Sequence, residues 1–142
     1  PAPIPAAPPL AAQLAYGTAS LTLAANAPAN ITGAALTITT AGTYLVTGFF
    51  DMYWERGDTG QTLRGFLTVA GASQGAQALF SADADPAGPP PDTERATVGM
   101  QWLVTAAAGA VLQLQADKTG GTGGSVCLAG GSSTMLSAIR VA

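Results

Sequence analysis

Four carboxylates crowd one short stretch of the chain, DADPAGPPPDTE: Asp83, Asp85, Asp92 and Glu94. Clustered carboxylate oxygens are what calcium takes as ligands. The spacing matches no calcium loop, however, and three consecutive prolines stiffen the segment, so it reads as a rigid, solvated loop open to partner contact. Lys118 opens a second suggestive stretch, KTGGTGGS. A phosphate-cradling loop needs its lysine after the glycines, not before them. This stretch reads as a flexible hairpin loop, and no motif links Lys118 to a serine nucleophile. The chain has no histidine, which removes the commonest general base, the usual triads and most zinc sites. Its one cysteine, Cys127, admits no intrachain disulfide and reads as a small buried apolar residue in the short strand GGSVCLAG. Finally, DMYWERGDTGQ places Trp54 and Arg56 at a strand end. Both types are favoured interface anchors, and both are taken as contact residues, with the core as the competing position for Trp54 and a rim position for Arg56 beside Glu55 and Asp58. The tripeptide Arg56-Gly57-Asp58 matches an integrin-binding motif by chance. The chain is accordingly read as no enzyme, with no cofactor and no metal.

Where side-chain chemistry is absent, composition carries more weight. The 142 residues suit one domain, able to bury a core without disulfides or metals. Hydrophobic residues make up 48% and charged residues only 9%, against about 25% charged in ordinary domains. A surface so short of charge is expected to be covered by other protein. Net charge is −3 with five scattered cations, Arg56, Arg64, Arg95, Lys118 and Arg140. Nucleic acid binding needs clustered Lys and Arg, so no nucleic acid partner is expected. Apolar runs are broken too often to span a membrane. No secretion signal is visible, and a chain opening at Pro1 is what loss of an initiator methionine leaves, so the sequence is read as an unprocessed cytoplasmic product.

The elements divide into an arm and a domain. Residues 1–12, PAPIPAAPPLAA, hold Pro1, Pro3, Pro5, Pro8 and Pro9 and no charge. Each X-Pro step is held out of helix, and nine polyproline-like residues reach on the order of 28 Å. The arm is expected to lie on a partner, with Ile4 and Leu10 as apolar anchors. From residue 13 onward the period is two. YLVTGFFDMYW sends Tyr44, Val46, Gly48, Phe50, Met52 and Trp54 to one face, and Leu45, Thr47, Phe49, Asp51 and Tyr53 to the other. LRGFLTV, TVGMQWLV, VLQLQAD and STMLSAIRVA alternate in the same way. SLTLAA, ALTITT, GAQALF and GSVCLA are shorter candidates. The expected core is Tyr44, Val46, Phe50, Leu67, Val69, Met100, Trp102, Leu112, Leu114 and Ile139, with Gln113 and Gln115 outward. Gly- and Pro-rich turns separate the strands, and no internal repeat is found. The expectation is an all-β, single-domain jelly-roll β-sandwich of about eight to ten strands.

Particular stretches carry a resemblance. TTAGTYLVTGFF resembles a core strand of the complement-component and tumour-necrosis-factor-like jelly rolls, with its Gly-x-Tyr followed by alternating apolar residues. FLTVAG is similar to their strand ending in an Asn-Gly turn, with Ala70 where the asparagine usually sits. LVTAAAGAVLQLQA resembles their hairpin, with Ala110 at the usual aspartate, and STMLSAIRVA their closing strand. The match runs over roughly residues 21–142. Together with the proline-rich arm and low charge, the chain resembles the jelly-roll cement, or decoration, proteins of tailed-bacteriophage capsids. The resemblance implies a structural protein on the virion capsid exterior, made in the host cytoplasm, whose partners are the major capsid protein and itself. It suggests trimers, whereas twofold dimers are the commonest closed assembly, and a dimer is the expectation here. The alternative is a receptor- or glycan-binding head of a tail fibre, against which stands a chain too short to hold a trimerising stalk.

Overall fold

The computed structural model describes residues 2–4, 12–55, 61–82, 93–119 and 126–142, with backbone alone for 126–129. The rest of the arm, Arg56, the acidic stretch before Thr93, the glycine loop after Thr119 and the side chain of Cys127 lie outside the described residues.

Eleven strands and no helix occur among the described residues: β1 (Ala12–Tyr16), β2 (Ser20–Thr22), β3 (Ala29–Thr37), β4 (Gly42–Glu55), β5 (Gln61–Val69), β6 (Ala72–Ser73), β7 (Ala78–Ala82), β8 (Thr93–Ala106), β9 (Val111–Lys118), β10 (Val126–Gly130) and β11 (Met135–Arg140). Two antiparallel sheets result. β4 is the spine of the six-stranded sheet. One of its edges pairs with β8 over its whole length; the other pairs first with β11 and then with β10. Beyond these lie β1 on β11 and β2 on β10. The five-stranded sheet runs β3-β9-β5, with β6 and β7 sharing the far edge of β5. Six of the ten connections between successive strands cross from one sheet to the other.

The inward faces interlock as the period of two dictates. From β4 come Tyr44, Val46, Phe50, Met52 and Trp54; from β5, Leu63 and Leu67; from β9, Leu112 and Leu114, all buried. The Phe50 and Trp102 rings meet edge to face at 6.5 Å and 76°, the arrangement ring quadrupoles favour. The Trp102 indole donates to the Ala76 carbonyl at 3.0 Å.

Two core expectations are corrected. On β11 it is Leu136 and Ala138 that point inward, while Ile139 sits half-buried on the outer face. The two alternations of MLSAIR, Met135-Ser137-Ile139 and Leu136-Ala138-Arg140, each hold two apolar residues and one polar, so the larger residue misdirects the reading; the pairing of Ile139 with Leu45, itself on the outer side of β4, sets the face. Met100 does face inward, but only half-buried, against the rim of the core. Near it the opposite sheet is carried only by the five-residue β7, which leaves part of the longer β8 uncovered.

β3 carries an irregularity. Its pairing with β9 jumps from Asn30–Gln115 to Ala35–Gln113, so four residues of β3 lie opposite Leu114 alone. The Gln113 side chain fills this bulge, donating to the carbonyls of Ile31 at 3.0 Å and Ala34 at 3.1 Å. Gln113 lies on the outward side as its alternation requires, but its amide is spent on backbone rather than on water.

Candidate functional site: the outer face of the six-stranded sheet

The two outer faces of the sandwich differ in chemistry. On the five-stranded sheet the outward residues bond to one another. Arg64 grips the fully buried carboxylate of Asp117 through two bonds of 2.7 and 2.6 Å, reaches Asn26 at 3.2 Å and lies 5.5 Å over the Phe66 ring. The Asp117 carboxylate holds the Arg64 guanidinium above its usual range, more than burial lowers it. Gln115 reaches across to Asn30 at 2.8 Å. These bonds finish much of the face, although Leu79, opposite Arg64, stands 58% exposed on it.

The outer face of the six-stranded sheet is not finished. Cross-strand register lines its outward residues into rows. One row runs Ala12, Ile139, Leu45, Leu103; another runs Tyr16, Met135, Phe49, Gly99; between them lies Leu14, Ser137, Thr47, Gln101. Leu103 is 69% exposed, Leu14 52%, Tyr16 51% and Phe49 39%. None of these twelve positions is charged. Charge enters this face only at its far end, where Arg95 holds Asp51 through bonds of 2.9 and 2.5 Å and Tyr53 bonds to Glu55 at 3.4 Å. Burial, then the repulsion of Glu55, push the Tyr53 phenol above its usual value.

Phe49 lays its ring over Gly99, directly opposite on β8; a Cβ there would come within 2.9 Å of Phe49 Cε1. An aromatic covering a cross-strand glycine closes a gap in the pleat. Leu14 links the two apolar rows at the β1 edge, while Ser137, Thr47 and Gln101 separate them further across the face.

The residues singled out from sequence fare unevenly. Trp54 is fully buried and contributes no contact surface; its alternation with Phe50 and Met52 puts it in the core, where its indole N–H has no hydrogen-bond partner among the described residues. That corrects its assignment as a contact residue. Pro3 and Ile4 are exposed, Ile4 at 94%. Pro1, Pro5, Pro8, Pro9, Leu10 and Arg56 lie outside the described residues. Sequence reading missed Leu14, Tyr16, Leu45, Phe49 and Leu103. The available signal was that the second face of YLVTGFF, holding Leu45 and Phe49, is itself half apolar.

No group of three His, Cys, Asp or Glu side chains is placed to hold a metal ion among the described residues, and no helix is long and apolar enough to cross a membrane. No family model matches the chain, and no curated protein matches it in sequence. Solved structures do match in shape. The Eiger TNF of S. frugiperda aligns over 95% of this chain and 94% of its own, at a TM-score of 0.56 and 14% identity. The globular domain of zebrafish complement 1qA protein aligns over 94% of this chain and 98% of its own, at 0.51 and 12%. At these identities the likeness is one of fold: the sandwich is a jelly roll of the tumour-necrosis-factor and complement type.

Proposed function

We propose that the chain is a structural binding protein, a cement protein that docks on the outside of an assembled bacteriophage capsid and bridges its major capsid subunits. One observation carries the reading: four strands set two apolar rows, and the uncharged row between them, side by side on an outer face whose charges are confined to its far end. Such a face gains by burial at about 25 cal/mol per Å² of apolar surface covered. The proline-rich arm supports the same reading. Its prolines restrict the backbone whatever its conformation, so ordering it on docking loses little entropy.

Cementing is then a matter of linkage. A protein that binds only the assembled lattice stabilises it by its binding free energy, and copies bridging neighbouring subunits multiply that effect. Self-association belongs to the reading, since bridging requires more than one contact per bound unit. The test is to mix the purified protein with undecorated shells and measure binding and shell stability. Saturable binding that raises the shell's resistance to heat is the expected result. Binding to host cells or glycans with none to shells overturns it in favour of a fibre head.

A further inference from the structure

β8 is the joint-longest strand of the molecule, fourteen residues, and it lies at the edge of its sheet. β4 pairs with it along its full length on one side. On the other side no backbone hydrogen bond reaches it from any described residue. Alternate residues of an edge strand turn both N–H and C=O outward, and a long unpaired edge is a template for another strand. Protein edges are ordinarily blunted by proline, lysine, short length or a bulge. β8 has none of these; its only charges, Glu94 and Arg95, sit at its first turn.

We infer that this edge joins two copies of the chain, β8 against β8 antiparallel about a twofold axis, into one continuous sheet. The charges fix the register. Keeping Glu94 and Arg95 outside the pairing leaves Ala96–Ala106, whose midpoint is Gln101. Gln101 then faces its own copy, where two side-chain amides can bond reciprocally. Gly99 faces the partner's Leu103, so the most exposed leucine of the outer face covers the glycine beside the Phe49 ring. On the inner side Met100 faces the partner's Trp102, which closes the rim that a single sandwich leaves half open. Every pair so formed is uncharged.

The inference deepens the cement reading and rests on it for one consequence. β1, from which the arm departs, lies at the opposite edge of the same sheet from β8. Twofold pairing at β8 therefore makes one wide floor with the two β1 strands, which the arms precede, at its far ends, beside different neighbours on a lattice.

The joint itself is tested in solution with no shell present, so its failure is separate from a failure of shell binding. Sedimentation equilibrium of the native protein at micromolar concentration should give twice the chain mass. Leu103→Lys should remain folded by circular dichroism and weaken self-association at least tenfold. Gln101→Cys in a Cys127→Ser background should oxidise to a disulfide-linked dimer, because facing residues of an antiparallel pair have Cα atoms about 4.5–5.5 Å apart, within disulfide reach; Thr93→Cys in the same background should not. A native monomer or trimer overturns the inference, and so does a native dimer in which Gln101→Cys fails to cross-link.

Discussion

The ring of Phe50 rests on the backbone of Gly65 in the facing sheet, so close that a Cβ there would come 2.7 Å from ring carbons. The two sheets touch through a ring and a missing side chain. Gly65→Ala should therefore cost roughly 1–3 kcal/mol of stability by overpacking. The cost should shrink in a Phe50→Leu background, because the smaller side chain vacates the space. Urea unfolding of the four proteins in the cycle measures this; strictly additive losses would mean that the two residues do not meet.

The hairpin joining β5 and β6 turns through Ala70 at φ 48° and Gly71 at φ 83°. A two-residue turn with both φ positive favours Asn-Gly, and alanine pays for its Cβ there. Ala70→Asn should raise stability by about 0.5–1 kcal/mol, and Ala70→Val should lower it. Chemical denaturation gives the sign directly, and a loss for asparagine would contradict the turn geometry.

Gln113 satisfies two carbonyls of buried residues, Ile31 and Ala34, inside the β3 bulge. Gln113→Leu keeps the bulk and removes the donor, so it should cost roughly 1–3 kcal/mol. Gln115→Leu, whose bond to Asn30 is exposed, should cost far less. Equal losses at the two sites would show that the bulge does not depend on the amide.

Deleting residues 1–10 should leave the melting temperature nearly unchanged, since β1 opens only at Ala12. It should weaken shell binding at least tenfold, about 1.4 kcal/mol. A truncated protein that decorates as tightly as the full chain would make the arm a tail.

What the sequence discloses follows from its period. Eight of the ten expected core residues are buried as a period-two reading requires: Tyr44, Val46, Phe50, Leu67, Val69, Trp102, Leu112 and Leu114. Where one alternation is apolar and the other is not, the face is legible. Ile139 fails because both alternations of its strand are equally mixed, each with two apolar residues and one polar. The exposed outer face of the six-stranded sheet was hidden for a different reason. Leu45, Leu103 and Ile139 lie far apart in sequence, and only the register of three strands sets them side by side. Gln113 likewise reads as an ordinary outward glutamine until the bulge opposite it is known. The sequence does contain the turn at Ala70, because an Ala-Gly pair there replaces an Asn-Gly pair in a recognisable strand ending.

The central claim is that the uncharged rows on the outer face of the six-stranded sheet are the surface that holds the shell. Leu45 and Leu14 lie in two of its rows, on strands away from the β8 edge. The most direct measurement is quantitative binding of Leu14→Lys and Leu45→Lys proteins to undecorated shells, beside the native protein. The account predicts native circular dichroism for both variants, melting within a few degrees of the native protein, and binding weakened at least tenfold by each buried charge, about 1.4 kcal/mol or more. Folded variants that decorate shells with native affinity would contradict it.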